Sequence, residues 1–460
     1  KDEKKLAWDF YQRPINDAKS DLIETINSLS TSISNEKVSQ IFENIDDSNF
    51  SEIIKICRRL TYNLESGNTE DRGKLINWKN KYMNILSEKY SSDLYSLNLD
   101  LLNQMDRTTP VYSEENEIVD GRIIIRDNFD KLLENNNKIF IFGEDVGLIG
   151  DVNQGLEGLQ EKHGKNRVFD TGIRESTIVG QGIGMSMRGL RPIAEIQYLD
   201  YILYALQILS DDLATLTYRT HGGQKAPLII RTRGHRLEGI WHSGSPLGGM
   251  LSFLRGIFIL TPRNMTQSAG FYNSLLDIDQ PAIVIEPLNG YRTKEKLPLN
   301  FGEFKTPIGE IEILKEGKDI TLVSYGSTLN IVYDVAKEIM EYDIDCEVID
   351  VQSLIPFDLA KNISKSIKKT NRVIIIDEDV PGGGSSFILQ ELLNNQGVYE
   401  YLDSKPSILT AKEHRPPYGS DGDYISKPSY EDIFEEIYNI MREANPKKYK
   451  KLIWFKYFIY

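Results

Sequence analysis

The stretch Thr171-Gly172-Ile173-Arg174-Glu175-Ser176-Thr177-Ile178-Val179-Gly180-Gln181-Gly182-Ile183-Gly184 decides how the rest of the chain is read. Thr-Gly punctuates the backbone and apolar and small residues follow it, so the stretch reads as a turn entering a helix. Three glycines at alternate positions cost helix propensity, and the position that tolerates them is one where another backbone or a ligand approaches closely. Glu175 falls in the first helical turn, where the helix dipole favours an ionised carboxylate. A capping glutamate is the competing reading, but its reciprocal pattern needs Ser or Thr three residues earlier, and Gly172 stands there.

Outward from this stretch the chain alternates short apolar runs with helical ones. Lys138 to Phe142, Arg191 to Ile196, Pro227 to Arg231, Gly256 to Leu260 and Ala282 to Glu286 read as strands. Tyr201 to Thr217 and Asn264 to Leu276 read as helices between them. Continuous apolar strands alternating with helices predict an α/β fold with a parallel sheet covered on both faces. Ligands in such sheets bind beyond the carboxyl ends of the strands, and Glu144 and Gln197 follow two of those ends. After a break at Pro298 to Pro307, a smaller α/β alternation follows: strands at Ile320 to Tyr325, Cys346 to Val351 and Arg372 to Asp377, helices at Asn330 to Glu341 and Phe387 to Asn394. Gly382-Gly383-Gly384-Ser385-Ser386 lacks the Lys-Ser/Thr of a phosphate loop and reads as a structural turn.

Upstream, residues 1 to about 105 are helical, with apolar stripes at Leu22, Ile23, Ile26, Leu29 and at Ile53, Ile54, Cys57, Leu60. This region reads as a spacer or docking arm, or as a plain bundle. The expected organisation is a helical N-terminal region (1–112), two α/β domains (117–297 and 308–444), and a Lys-rich, aromatic tail (447–460). That tail is a candidate for membrane adhesion or for a packed or disordered end.

The chain has 460 residues, 40% hydrophobic and 27% charged, which fits a globular enzyme of about three domains. A net charge of −14 argues against nucleic acid or an anionic membrane as the main partner. Two cysteines are too few for a disulfide framework and place the expectation in a reducing cytoplasm. No apolar run approaches the roughly 20 residues of a membrane helix. The start, Lys1-Asp2-Glu3-Lys4-Lys5, has neither a signal peptide nor an initiating Met, so upstream sequence is expected.

Phe142-Gly143-Glu144-Asp145-Val146-Gly147, Arg167-Val168-Phe169-Asp170-Thr171, Glu175 with its glycines, and Arg191-Pro192-Ile193-Ala194-Glu195-Ile196-Gln197 occur in an order and spacing that are specific together. In these pieces the chain resembles the beta subunit, or the beta half of a fused alpha-beta chain, of the thiamine-dependent decarboxylating component of 2-oxo acid dehydrogenase complexes. The resemblance runs from about Glu117 to Ala444. It implies a transketolase-like pyrimidine-binding domain followed by a smaller transketolase C-terminal domain. It implies oxidative decarboxylation of a 2-oxo acid with reductive acylation of a lipoyl group, branched-chain acids slightly favoured over pyruvate because Gln197 and Tyr201 match branched-chain members. In the family, one carboxyl bonded to the aminopyrimidine ring of thiamine diphosphate drives its tautomerisation; the resemblance gives that role to Glu175. It places Glu144 at a nearby proton-carrying position and Ile173, Gln197 and Tyr201 around the aminopyrimidine. His242, in Trp241-His242-Ser243, matches a His-Ser motif whose imidazole acts after decarboxylation; His235 is the reserve. His163 and His221 read as caps or surface residues.

The chain departs from the family at Arg174 and in the basic run Arg231-Thr232-Arg233-Gly234-His235-Arg236, which reads either as a clamp for a substrate carboxylate or cofactor phosphate or as a solvated loop. The Gly-Asp-Gly…Asn arrangement that holds magnesium and the diphosphate is missing, so the resemblance assigns those to an alpha subunit or alpha half. The other implied partners are an acyltransferase with a lipoyl domain and a second alpha-beta pair. Relatives bind potassium through backbone carbonyls near the positions of Leu228 and Leu276, which leaves that ion open here. The alternatives are a transketolase or deoxyxylulose-phosphate synthase half, and a non-catalytic module that docks the acyltransferase.

Overall fold

The computed structural model describes residues 2–30, 49–64, 68–234, 243–244 and 246–451, and its chain divides into two compact units, Lys1–Ser92 and Asp93–Tyr460. The first unit is helical: α1 (Asp2–Asn27), α2 (Phe50–Asn63) and α3 (Thr69–Ser91). The predicted stripes close its core, with Leu22, Ile26, Leu29, Ile53 and Cys57 buried beside Leu75, Trp78 and Tyr82. Each fully buried aliphatic side chain contributes about 1.5–3 kcal/mol. Asn49 and Asn68 cap α2 and α3 by accepting from Glu52 N and Asp71 N. Burial raises the Cys57 thiol to about 11, consistent with a packing role.

The second unit holds three sheets. A two-stranded ribbon pairs β1 (Ile118–Asp120) with β8 (Lys294–Lys296). The main sheet takes β2 (Ile139–Gly143), β3 (Val168–Asp170), β4 (Arg191–Glu195), β5 (Ile229–Arg233), β6 (Phe258–Leu260), β7 (Ala282–Glu286) and β12 (Ser353–Ile355). Their spatial order is β12-β6-β7-β5-β4-β2-β3. Every pairing among β2 to β7 is parallel, as the continuous apolar runs require. Only β12 runs antiparallel, and it belongs by sequence to the following alternation. That alternation forms a five-stranded sheet from β9 (Glu312–Lys315), β10 (Ile320–Ser324), β11 (Cys346–Asp350), β13 (Val373–Ile376) and β14 (Ser407–Leu409), in the order β14-β13-β10-β11-β9 with β9 antiparallel.

Helices α4 (Gly121–Asn135) and α5 (Met265–Leu276) pack on each other beside the main sheet, locked by reciprocal amide bonds between Asn128 and Asn273 of 2.9 and 3.2 Å. The single helix expected over Tyr201 to Thr217 is instead a 3₁₀ turn (Leu199–Ala205), a π-turn (Ile208–Leu213) and a short α-helix (Leu216–Arg219). The changes of pitch re-phase the segment so that Leu199, Ile202, Leu209, Leu213 and Leu216 all reach the core. Gly382 and Gly383 form a turn that packs on the start of the helix Leu247–Phe253, leaving no room for a Cβ at Gly248. Among the described residues no helix is long and apolar enough to cross a membrane.

Candidate active site

The site forms where parallel strands end. β2 stops at Gly143, and the chain turns through Glu144 and Asp145, the latter at φ 58°. β3 stops at Asp170, and five residues later Glu175 opens the helix α6 (Glu175–Met187). β4 stops at Glu195, two residues before Gln197. Glu144, Glu175 and Gln197 therefore gather at the carboxyl edge of one sheet, Glu144 and Gln197 where the strand–helix reading put them and Glu175 after β3, a strand too short to be read from the sequence. The turn after β2 is pinned on two sides: Asp170 Oδ1 accepts from Gly147 N at 2.6 Å, and Gln197 Nε2 donates to Asp145 Oδ2 at 2.9 Å.

Electrostatics tie the group together. Burial raises the Glu144 carboxyl above the ordinary carboxylate range, and the charges of Asp145 and Glu175 push it further in the same direction. The Tyr201 hydroxyl is raised by burial, by Tyr198, and by the carboxylates of Glu144, Glu175 and Asp200. Tyr201 stands edge-on to Tyr198 with ring centroids 5.9 Å apart. A half-buried carboxyl poised to hold a proton, a second carboxylate at a helix start and a phenol within reach of the charge of both can pass a proton to or from a bound heteroaromatic base.

Arg174 occupies the N-cap of α6 without a side-chain cap bond, so Glu175 takes no part in a capping box. Ile173, expected at the pocket wall, is 74% exposed, and Leu148 and Ile149 after the Glu144 turn are exposed as well. The three glycines separate in role. A Cβ at Gly182 would meet Leu228 Cδ1 at 2.6 Å, whereas one at Gly180 or Gly184 would meet nothing within 4 Å outside its own helix. Close approach is thus realised within the chain at Gly182 alone, and the other two face outward. His242 and His235 lie outside the described residues. Of the other histidines, His163 pairs through Nε2 with Asp130 Oδ1 at 2.7 Å near a helix end, and His221 follows Leu216–Arg219 at φ 49°.

The basic run needs correction. Arg231 and Arg233 are neither a clamp for substrate nor a solvated loop; they are the last residues of β5 and are fully buried. Arg231 donates to Asp151 Oδ2 at 2.8 Å, to Glu286 Oε1 at 3.0 Å, to Tyr291 Oη at 2.7 Å, and to Glu195. Arg233 Nε donates to Tyr291 Oη at 3.1 Å, and its Nη2 lies 2.9 Å from Glu195 Oε2 without the alignment of a hydrogen bond. Tyr291 and Tyr272 donate to Glu286. Two guanidiniums thus face three carboxyls, all fully buried, and removal of one partner costs about 3–5 kcal/mol. Glu195 is driven toward its protonated form by burial, against the pull of Arg233 and Arg231, while the same arginines hold Asp151 ionised despite its burial. Neither the cluster nor the part of Asp145 was legible in sequence, because positive charges after an apolar run signal solvent unless their carboxylates, here 36 to 80 residues away, are known.

Comparison with known proteins gives the following. Residues 119–294 match the transketolase pyrimidine binding domain, and residues 309–425 match the transketolase C-terminal domain. The chain is 30% identical over 311 residues to the pyruvate dehydrogenase E1 component subunit beta of Acholeplasma laidlawii, covering 67% of this chain and 94% of that protein. It is 31% identical over 322 residues to the 2-oxoisovalerate dehydrogenase subunit beta of Pseudomonas aeruginosa, covering 66% and 90%. Among solved structures, a split gene transketolase described as an inactive beta4 tetramer shares the fold, with a TM-score of 0.54 at 19% identity, over 69% of this chain and 97% of that one.

Proposed function

Because the chain belongs to the family of E1 beta subunits of 2-oxo acid dehydrogenases, built on transketolase-like pyrimidine-binding and C-terminal domains, we propose that it forms half of a thiamine diphosphate site. With an alpha part it would decarboxylate a 2-oxo acid and pass the acyl group to a lipoyl domain. The observation that carries the reading is the meeting of Glu144 and Glu175 beside Tyr201 at the carboxyl edge of the sheet. The donor set fits an aminopyrimidine, whose ring nitrogens and amino group need carboxyl and phenol partners. Thiamine diphosphate, when bound, supplies the electron sink for decarboxylation.

In this reading Glu175, on the first turn of α6, holds the ring nitrogen, and Glu144 stores and returns a proton with Tyr201 beside it. Gln197 fixes Asp145 and so the turn that carries Glu144. Ile173, Leu148 and Ile149 would be covered by the cofactor or by the partner that completes the site. His242 would protonate or stabilise the intermediate during acyl transfer. Magnesium, the diphosphate and any potassium are left to the alpha part or to backbone carbonyls, since the chain carries no Gly-Asp-Gly…Asn motif. Branched-chain acids are favoured over pyruvate on the strength of Gln197 and Tyr201, and a two-fold pair of alpha-beta units is the expected assembly.

The test is reconstitution with an alpha part, followed by kcat/KM for 3-methyl-2-oxobutanoate and for pyruvate with a lipoyl domain as acceptor. The expected result is turnover with the branched acid ahead, and no tight magnesium-dependent cofactor binding by the chain alone in titration calorimetry. Tight binding by the chain alone would overturn the shared-site reading. Failure to decarboxylate either acid would overturn the activity.

A further inference from the structure

Arg233 reaches out of the buried charge cluster toward the site. Its Nη1 donates to the backbone carbonyl of Gln197 at 2.9 Å. The side chain of the same residue donates to Asp145 Oδ2 at 2.9 Å. Its Nη2 also lies 3.5 Å from Asp151 Oδ2, and Asp151 N donates to the Asp145 carbonyl at 2.8 Å. Both ends of Asp145, carboxylate and peptide oxygen, are thus held by residues that Arg233 touches. Asp145 is the strained, positive-φ residue next to Glu144. A planar fork of fixed donors suits this task, because one guanidinium can bond the Gln197 carbonyl through Nη1 while its charge stays beside the Asp151 and Glu195 carboxylates. The geometry points to Arg233 as a positioning residue that, through Gln197 and Asp151, clamps Asp145 and so fixes the placement of the Glu144 carboxyl at the proton-carrying end of the site.

This rests on the thiamine reading only for what Glu144 does; the clamp itself is a statement about the chain. The groups that face Glu144 are Asp145, Glu175 and Tyr201. Releasing Asp145 removes a fixed negative neighbour, so Glu144 should titrate closer to an ordinary carboxyl. Arg233→Lys keeps the cation for Glu195 and Asp151 and loses the fork. Gln197→Leu, at a half-buried position, removes the link to Asp145 and leaves the cluster intact.

The experiment is carbon NMR titration of the full chain labelled at glutamate carboxyls, with the Glu144 signal assigned by Glu144→Gln. Arg233→Lys and Gln197→Leu should each lower the Glu144 midpoint by about half a unit. The double variant should fall no further than either alone, because both cut one route. An unchanged midpoint in Arg233→Lys, or additive shifts in the double variant, would overturn the clamp. Should Arg233→Lys fail to fold, Gln197→Leu decides alone: an unchanged midpoint overturns the clamp. Shifted midpoints in a chain that never supports decarboxylation with its alpha part would overturn the thiamine reading and leave the clamp standing. Parent midpoints with full turnover would do the reverse.

Discussion

Glu175 can be altered with almost no change of shape. Glu175→Gln keeps the volume of the side chain at the start of α6 and removes its capacity to exchange a proton. In the reconstituted enzyme the expected outcome is a normal unfolding temperature with hydrogen–deuterium exchange at the reactive thiazolium carbon slowed by about 100- to 10,000-fold; exchange at the parent rate would exclude the assigned role. A second residue reports through pH. Asp350 at the end of β11 is fully buried, and burial raises its carboxyl to about 6 from 3.8, against the pull of Arg263 at 2.6 Å and a bond from Gln267 at 3.2 Å. A raised folded pKa gives a contribution to stability that is complete below the unfolded value and is lost as pH rises through the folded one. About two units correspond to about 3 kcal/mol. Asp350→Asn cannot titrate, so the stability of the variant relative to the parent should rise by about 2–3 kcal/mol between pH 4 and pH 7 in denaturant melts. A difference that stays constant with pH would refute the assignment. At this scale Glu144 and Gln197 were legible from their places after strands, and Glu175 from its place in the first turn of a helix. Asp145, Asp151 and the true role of Arg233 were not, since each depends on a partner distant in the chain.

At the scale of the element, α6 carries two kinds of glycine. Gly182 sits against Leu228, so Gly182→Ala must displace a packed side chain and should cost about 1–3 kcal/mol, less the gain in helix propensity. Gly184 faces open space, so Gly184→Ala should raise the stability of the isolated chain by up to about 1 kcal/mol. If the outward glycines receive a partner's backbone, the same Gly184→Ala should weaken association with the alpha part or a second copy, measured by analytical ultracentrifugation. Stabilisation with unaltered association would show that the open face meets no partner. The longer central strands were legible to within two residues because their apolar runs are continuous, whereas the short β1, β3, β8, β9, β12 and β14 were not read; β5 ran two residues further than expected, since its arginines carry the strand into the core. The segment after Gln197 was misjudged because periodicity does not distinguish an α-helix from a succession of 3₁₀ and π turns when both bury the same leucines.

At the scale of the molecule, the order of elements predicted a helical region, a parallel sheet and a smaller α/β sheet, and the family resemblance supplied the transketolase-like plan. What the order could not predict is which sheet a short strand joins. Ser353-Leu354-Ile355 follows β11 in the smaller alternation, yet pairs antiparallel with β6 at the edge of the main sheet, Ser353 opposite Leu260 and Ile355 opposite Ile259. Three residues carry too little pattern to announce a destination.

That crossing strand acts as a basting stitch between two pieces of cloth. A fragment cut between the sheets, such as residues 117–297, would keep all six parallel strands and still end in a raw hem, with the Phe258–Leu260 backbone open to any passing strand. Such a fragment should appear in light scattering as aggregates, and adding a peptide spanning Val351 to Phe357 should reduce them. A longer fragment ending after Phe357 should carry its own selvedge and stay dispersed. Equal dispersion of both fragments would mean that the hem is closed by something other than the stitch.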